Sequence, residues 1–332
     1  MAHSRGLKVH RSQGETFRKR LVELGAFDRD RKIGSDEVHL YLPILDLSPE
    51  AEEDLRSLGD FDLVEAEFEE AERRETVEKL LGSRASFEVV GDVAILDDLD
   101  GEAAAAIMAV HRNVRTVISS MTAVEGEYRT RRFRHVAGVE KTTTLHKEHG
   151  LRYRIDLEKA YFTPRLGTER LRVAKLIKPD DVVVDMFAGV GPFALLIAKR
   201  GAKVVAVDKN PEAVRLLKEN ARLNRIDGIE ILEGDAADLA ERYENFADHV
   251  IMNLPHTARD FLKVAMRIAK DGGIVHYYAI APEEDLYGRD MAFVEEGASA
   301  LGAMIRILRC GVVRSYAPHQ YNIAIDFEVH KP

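Results

Sequence analysis

The chain of 332 residues has a single cysteine, Cys310, and no tryptophan. One thiol excludes an intramolecular disulfide framework and any cysteine-rich metal site. No apolar run is long enough to cross a bilayer. The opening stretch, MAHSRGLKVHRSQGE, has no hydrophobic core after its basic residues and does not read as a secretory signal. A cytoplasmic protein without a membrane partner is therefore expected. The 12 histidines follow no ligand spacing. His146 and His149 share one segment, but without a cysteine or an HExxH context, so no metal centre is expected.

What is present is an ordinary globular composition, 45% hydrophobic and 32% charged, on a length that favours two or three domains. The net charge of −9 argues mildly against a nucleic-acid partner, but the sign is patterned. Residues 1–34 carry nine Lys/Arg against four acids, and residues 126–175 carry thirteen against six. Between them lies the acidic run EAEEDLRSLGDFDLVEAEFEEAERRETVEKL. Basic blocks separated from an acidic one are consistent with RNA-facing surfaces, and also with solvated faces.

Periodicity divides the chain into residues 1–66, a small α+β unit; 67–85, a charged helix or linker; 86–155, a second α+β unit; and 156–332. In the first unit GETFRKRLVELGAF has helical spacing and stops at Gly25, and EVHLYLPIL alternates as a strand. In the second, SFEVVGDVAILDDL reads as a strand broken at Gly91, DGEAAAAIMAVHRNV as a helix with an N-terminal Asp, and EGEYRTRRFRHVAG as strand-like. From about residue 170, helices alternate with nearly all-apolar strands, the signature of a parallel sheet covered on both faces. RILRCGVVRSYAP and QYNIAIDFEV then suggest an antiparallel edge hairpin.

In such a sheet, ligands sit beyond the carboxyl ends of the strands. The first strand ends in DVVVDMFAGVGPF, bringing Asp185, Phe187, Gly189 and Gly191. The third glycine of a dinucleotide fingerprint is missing, which favours a nucleoside ligand without pyrophosphate. Asp208, 23 residues past Asp185, is placed to take both hydroxyls of a ribose. Asp235 can accept from an exocyclic amine. Each acid alone also serves as a turn or helix cap. The fourth strand, HVIMNLP, ends in Asn253-Leu254-Pro255, a polar amide and a residue that cannot donate to a ladder.

DMFAGVGPF, the VDKNP and GDA acids and the Asn-x-Pro resemble the class I S-adenosylmethionine-dependent methyltransferases. Leu254 and His256 depart from the Asn-Pro-Pro-Tyr pattern of enzymes that methylate base nitrogens. With YFTPRLGTER (161–170), GEYRTRRFRH (126–135), MNLP, GGIVHYY and VRSYAP, nearly the whole chain resembles the archaeal and eukaryotic tRNA guanosine-37 N1-methyltransferases. The resemblance implies an α/β, Rossmann-like class I methyltransferase domain, preceded by two smaller α+β RNA-recognition domains, the first a sensor of tRNA shape. It implies S-adenosylmethionine as cofactor and tRNA as partner, through anticodon loop and body, for a monomer.

Methylating guanine N1 requires a base for the N1 proton, a cation for the charge that spreads to O6, and a group that fixes the base. By resemblance Glu169 is the base, Arg129 the cation, and Asn253, on a loop stiffened by Pro255, the fixing group. Glu169 can equally be a helix-start acid, and Arg129 one basic residue in a surface patch. By resemblance and position, Arg170 and Phe187 lie near the cofactor, Asp208 with Lys209 near its ribose, Asp235 with Ala236 near its adenine, and Tyr161 and Arg165 along the same pocket. The competing functions are methylation of a tricyclic wyosine precursor at the same position, transfer of the aminocarboxypropyl group of the same cofactor, and a non-catalytic RNA-binding module. The missing third glycine and the Asn-x-Pro disfavour a nicotinamide dehydrogenase.

Overall fold

The computed structural model describes residues 2–71, 75–122, 126 and 128–332. They fall into two compact units, 1–76 and 77–332. In the first, β1 (Ala2–His10), α1 (Gly14–Glu23), β2 (Gly34–Ser35), β3 (His39–Pro43), α2 (Pro49–Arg56) and β4 (Asp62–Phe68) build an antiparallel sheet in the order β2-β3-β1-β4. Leu7, Val9 and Leu42 of the sheet bury against Phe17 and Leu21 of α1 and Leu55 of α2. Just past α1, Gly25 takes a left-handed φ of +69°, which only glycine adopts cheaply. Ser48 accepts the Ala51 N–H at 3.2 Å to start α2.

The second unit opens with α3 (Val77–Leu81), β5 (Phe87–Val90), β6 (Val93–Leu96), α4 (Gly101–Val110), β7 (Thr116–Ser120) and β8 (Phe133–Gly138), with a sheet in the order β5-β6-β7-β8. The stretch expected as a charged linker is not uniform. Phe68 closes β4, residues 72–74 lie outside the described residues, and Val77, 2% exposed, packs with Ala103 and Ile107 of α4. The segment around Gly91 is a hairpin rather than one broken strand: Gly91, at φ +61°, reverses the chain so that β5 pairs antiparallel with β6. Asp100 caps α4, accepting from the N–H groups of Glu102 and Ala103 at 2.9 and 3.0 Å. Of the strand expected over 125–138, only β8 forms; Glu125 and Glu127 lie outside the described residues.

After the hairpin of β9 (Thr143–Glu148) and β10 (Leu151–Asp156) come α5 (Gly167–Leu176), β11 (Val182–Asp185), α6 (Pro192–Ala198), β12 (Lys203–Asp208), α7 (Pro211–Asn224), β13 (Ile229–Glu233), α8 (Leu239–Arg242), β14 (Ala247–Met252), α9 (Leu262–Ile268), β15 (Ala269–Pro282), α10 (Gly288–Ser299), β16 (Met304–Ala317) and β17 (Gln320–His330). Their sheet runs β13-β12-β11-β14-β15-β17-β16, parallel through β15, with β17 antiparallel between β15 and the edge strand β16. Apolar clusters cover both faces, which is why its strands carry so few polar residues.

The β9–β10 hairpin belongs to neither sheet. Its buried residues Leu151, Tyr153 and Ile155 join the cluster of Phe193 and Leu217. Asn224 and Asn220 of α7 accept the N–H groups of Arg152 and Arg154 at 2.8 and 2.6 Å. The hairpin is thereby sewn onto the helix behind the sheet.

Candidate active site

The carboxyl ends of β11, β12, β13 and β14 open into one cavity of about 480 Å3. Of the residues singled out in the sequence, Arg129, Tyr161, Arg170, Phe187, Gly189, Asp208, Lys209, Asp235, Ala236, Asn253 and Pro255 line it; Glu169, Arg165, Asp185 and Gly191 do not.

One end is built from backbone and acids. Asp208 accepts the Gly189 N–H at 2.7 Å and the Asn210 N–H at 2.9 Å. Its oxygens keep lone pairs for a diol, and burial raises its carboxyl. Gly189 has φ +56°, and a Cβ there would meet nothing nearer than the Tyr161 carbonyl at 3.8 Å, so an open backbone edge faces the cavity. Gly191 has a packing role. A Cβ there would lie 2.1 Å from Leu217 Cδ1, so the glycine lets α6 pack on α7. Lys209 donates to Asp235 at 2.8 Å, which lowers the Asp235 carboxyl. Asn210 caps α7 through the Glu212 N–H at 3.0 Å. A carboxylate for a diol and a bare glycine edge fit a nucleoside sulfonium such as S-adenosylmethionine.

Asp185 lies beneath this floor, 1% exposed. Burial pushes its carboxyl up to about 7, and the N–H groups of Phe187 and Ala194 offset only part of that. A carboxyl whose folded pKa is raised contributes stability below its unfolded pKa and loses it as pH rises toward 7. Asp185→Asn is therefore expected to stabilise the ligand-free protein at pH 7 by about 1–3 kcal/mol, with the gain fading below pH 4. Chemical denaturation of both proteins across that range checks it, and equal stabilities at pH 7 would refute it.

The other end is cationic and aromatic. Arg129 sits at φ +54°, its guanidinium 5.2 Å from the Tyr161 ring centroid and its Nε without a partner among the described residues. Strained backbone of this kind gathers where a side chain must be aimed. The Leu254 carbonyl accepts from the N–H groups of Thr257 and Ala258 at 3.1 and 2.9 Å, closing a tight turn that presents Asn253. His256 is lowered by burial and by the Arg129 cation, so it is neutral at pH 7. Arg314 Nε and Asn322 Oδ1 are also buried there without partners among the described residues. His256, Phe261, Arg314, Tyr316 and Asn322 line this cavity, and none of them was given a site role from sequence.

Glu169, 6% exposed, is not among the residues that line the cavity. Its oxygens accept from Arg172 at 2.6 and 2.9 Å and from the Tyr278 hydroxyl at 2.9 Å. Arg172 is shared with Asp326 at 2.6 Å, and Asp326 accepts from His276 at 2.8 Å. Arg170 lines the cavity, but its guanidinium is spent on Glu148 at 2.6 and 2.7 Å, tying α5 to the β9–β10 hairpin. Arg165 turns outward to Glu88 at 3.3 Å.

Residues 144–306 match the TRM5/TYW2 methyltransferase domain, residues 6–52 the tRNA methyltransferase 5 N-terminal domain and residues 69–142 the TYW2 N-terminal domain. The tRNA (guanine(37)-N(1))-methyltransferase Trm5b of Pyrococcus abyssi is 40% identical over 340 residues, spanning 97% of this chain and 98% of the relative. The chain belongs to the TRM5/TYW2 methyltransferase family. Within that family, the crystal structure of P. abyssi Trm5b aligns with a TM-score of 0.72 at 39% identity, over 98% of this chain and 99% of that one. A complex of aTrm5 with tRNALeu aligns with a TM-score of 0.69 at 34% identity, over 97% and 99%. A Pyrococcus horikoshii tRNA(Phe) (4-demethylwyosine(37)-C(7)) aminocarboxypropyltransferase is 35% identical, but over only 63% of this chain and 74% of the relative.

Proposed function

We propose that this chain transfers the methyl group of S-adenosylmethionine to N1 of guanosine 37 in tRNA. The observation that carries the reading is the meeting of Asp208, Asp235, Asn253 and Arg129 around one cavity. Likeness to Trm5b along the whole chain, including the N-terminal domain, supports it over the aminocarboxypropyl reading, whose relative matches about two thirds of the chain. The cofactor supplies an electrophilic methyl group and needs no activation.

The protein's work is on the acceptor. Asn253 holds the guanine edge through an amide that both donates and accepts. Arg129 donates to O6, where charge gathers as N1 loses its proton. Glu169 takes that proton, which requires it to exchange Arg172 for the substrate; Arg172 keeps Asp326 when it does. Asp208 binds the cofactor ribose and Asp235 its adenine, while Phe187 and Tyr161 close the pocket around it. We further propose a cytoplasmic monomer in which residues 1–66 sense tRNA shape, 86–155 grip RNA near the target and 156–332 carry catalysis. No described helix is long and apolar enough to cross a membrane, which is compatible with that placement.

The test uses labelled S-adenosylmethionine and two unmodified tRNA transcripts that differ only in G or A just 3′ of the anticodon. Label on the G transcript alone, recovered as 1-methylguanosine, is the expected result. Label on neither, with label on tRNA already carrying 4-demethylwyosine, would replace this reading with the wyosine one.

A further inference from the structure

β16 is the edge of the seven-stranded sheet, and its register against β17 slips between Ile307 and Arg309, between Val312 and Arg314, and between Ser315 and Ala317. Each slip leaves one residue of β16 unpaired, and the last is Tyr316. A bulge breaks the alternation of a strand and re-aims a side chain, often beside an active site. Here Tyr316 lines the cavity while remaining 41% exposed, an aromatic ring with no core to fill. Its hydroxyl lies 3.4 Å from His256 Nε2 and the two rings stand 74° apart, so the imidazole does not lie flat on it. The guanidinium of Arg314 is 6.0 Å from its centroid.

Arg129 and Asn253 offer hydrogen bonds to the edge of a base, which fix it only within its plane. A nucleotide drawn out of the anticodon stack loses neighbours on both faces, and aromatic side chains are the usual replacement. We propose that Tyr316 is the stacking platform for the extruded guanine, supplying from the edge strand the aromatic ring that the Asn253-Leu-Pro-His256 turn does not carry. The proposal rests on the reading of the Arg129–Asn253 end as the base-binding end.

The test compares full-length wild type, Tyr316→Phe and Tyr316→Ala. Single-turnover methyl transfer is measured on a G37 transcript at saturating S-adenosylmethionine. The emission of bound tRNA carrying 2-aminopurine at position 37 is recorded in parallel. Tyr316→Phe should stay within about threefold of wild type and Tyr316→Ala should fall about ten- to hundredfold, with cofactor affinity unchanged. The 2-aminopurine should be quenched by wild type and Tyr316→Phe and brighter with Tyr316→Ala. A Tyr316→Ala rate within about twofold of wild type, a Phe variant as slow as Ala, or equal emission in all three would overturn the assignment. Arg129→Ala separates the two layers: if it is also silent the base-binding end is misplaced, whereas if it is slow only the stacking role falls.

Discussion

Replacing Arg129 with alanine is expected to lower the single-turnover rate of methyl transfer by about 10²–10³-fold while leaving cofactor affinity within about twofold. When N1 gives up its proton, the charge that develops is carried largely by O6. A cation aimed at that oxygen interacts weakly with the neutral base and strongly with the transition state, so its loss falls on the chemical step. The structure gives Arg129 the features such a group needs. Its Nε has no partner among the described residues, its φ of +54° holds an uncommon conformation, and Tyr161 backs its guanidinium. Binding of tRNA should change far less, because Arg129 is one of thirteen Lys/Arg in residues 126–175 and phosphate attraction is shared among many cations. Arg129→Lys should recover only part of the rate, since an ammonium keeps the charge but not the planar fork. A normal rate for Arg129→Ala at saturating tRNA, with the whole loss in apparent affinity, would reassign the residue to RNA binding.

The side of the cavity at the strand ends could be read from sequence for a physical reason. Parallel strands buried on both faces are almost wholly apolar, so a polar residue at the end of one stands out, as Asp208, Asp235 and Asn253 do. Position at a strand end does not say which way a residue faces. Gly191 turned out to accommodate Leu217, Asp185 is buried below the floor, and Arg170 neutralises Glu148, 22 residues away. The side lined by β16 and β17 was largely illegible. Arg314 and Tyr316 reach it because β16 bulges, and a bulge defeats the two-residue period by which strand faces are assigned. Asn322 is, with Asp326, one of two buried polar residues in β17, and only three-dimensional placement shows that its Oδ1 is buried at the cavity without a partner among the described residues. The hairpin at Gly91 was missed because a two-residue turn between apolar runs looks like an interruption when its pairing is unseen.

Glu169→Gln is the second large effect expected, a fall of about 10²–10⁴-fold in the chemical step with cofactor and tRNA affinities close to wild type. The same carboxylate also anchors a buried ion-pair network. Asp326→Asn supplies the control. It strips Arg172 of its other carboxylate but leaves Glu169 in place. Burial works against ionised Asp326, yet the His276 hydrogen bond and Arg172 hold it down to about 2. Its folded pKa is thus depressed, and the stability it adds is present above the ordinary carboxylate range and lost as pH falls through about 2. Asp326→Asn should accordingly cost about 2–4 kcal/mol at pH 7, with the deficit shrinking in acid, while single-turnover chemistry stays within a few-fold of wild type. If Glu169 is the proton acceptor, the two variants separate: one loses rate, the other stability. If both lose rate in equal measure, Glu169 acts by holding α5 in place, and the proton acceptor must be sought among groups that face the cavity directly.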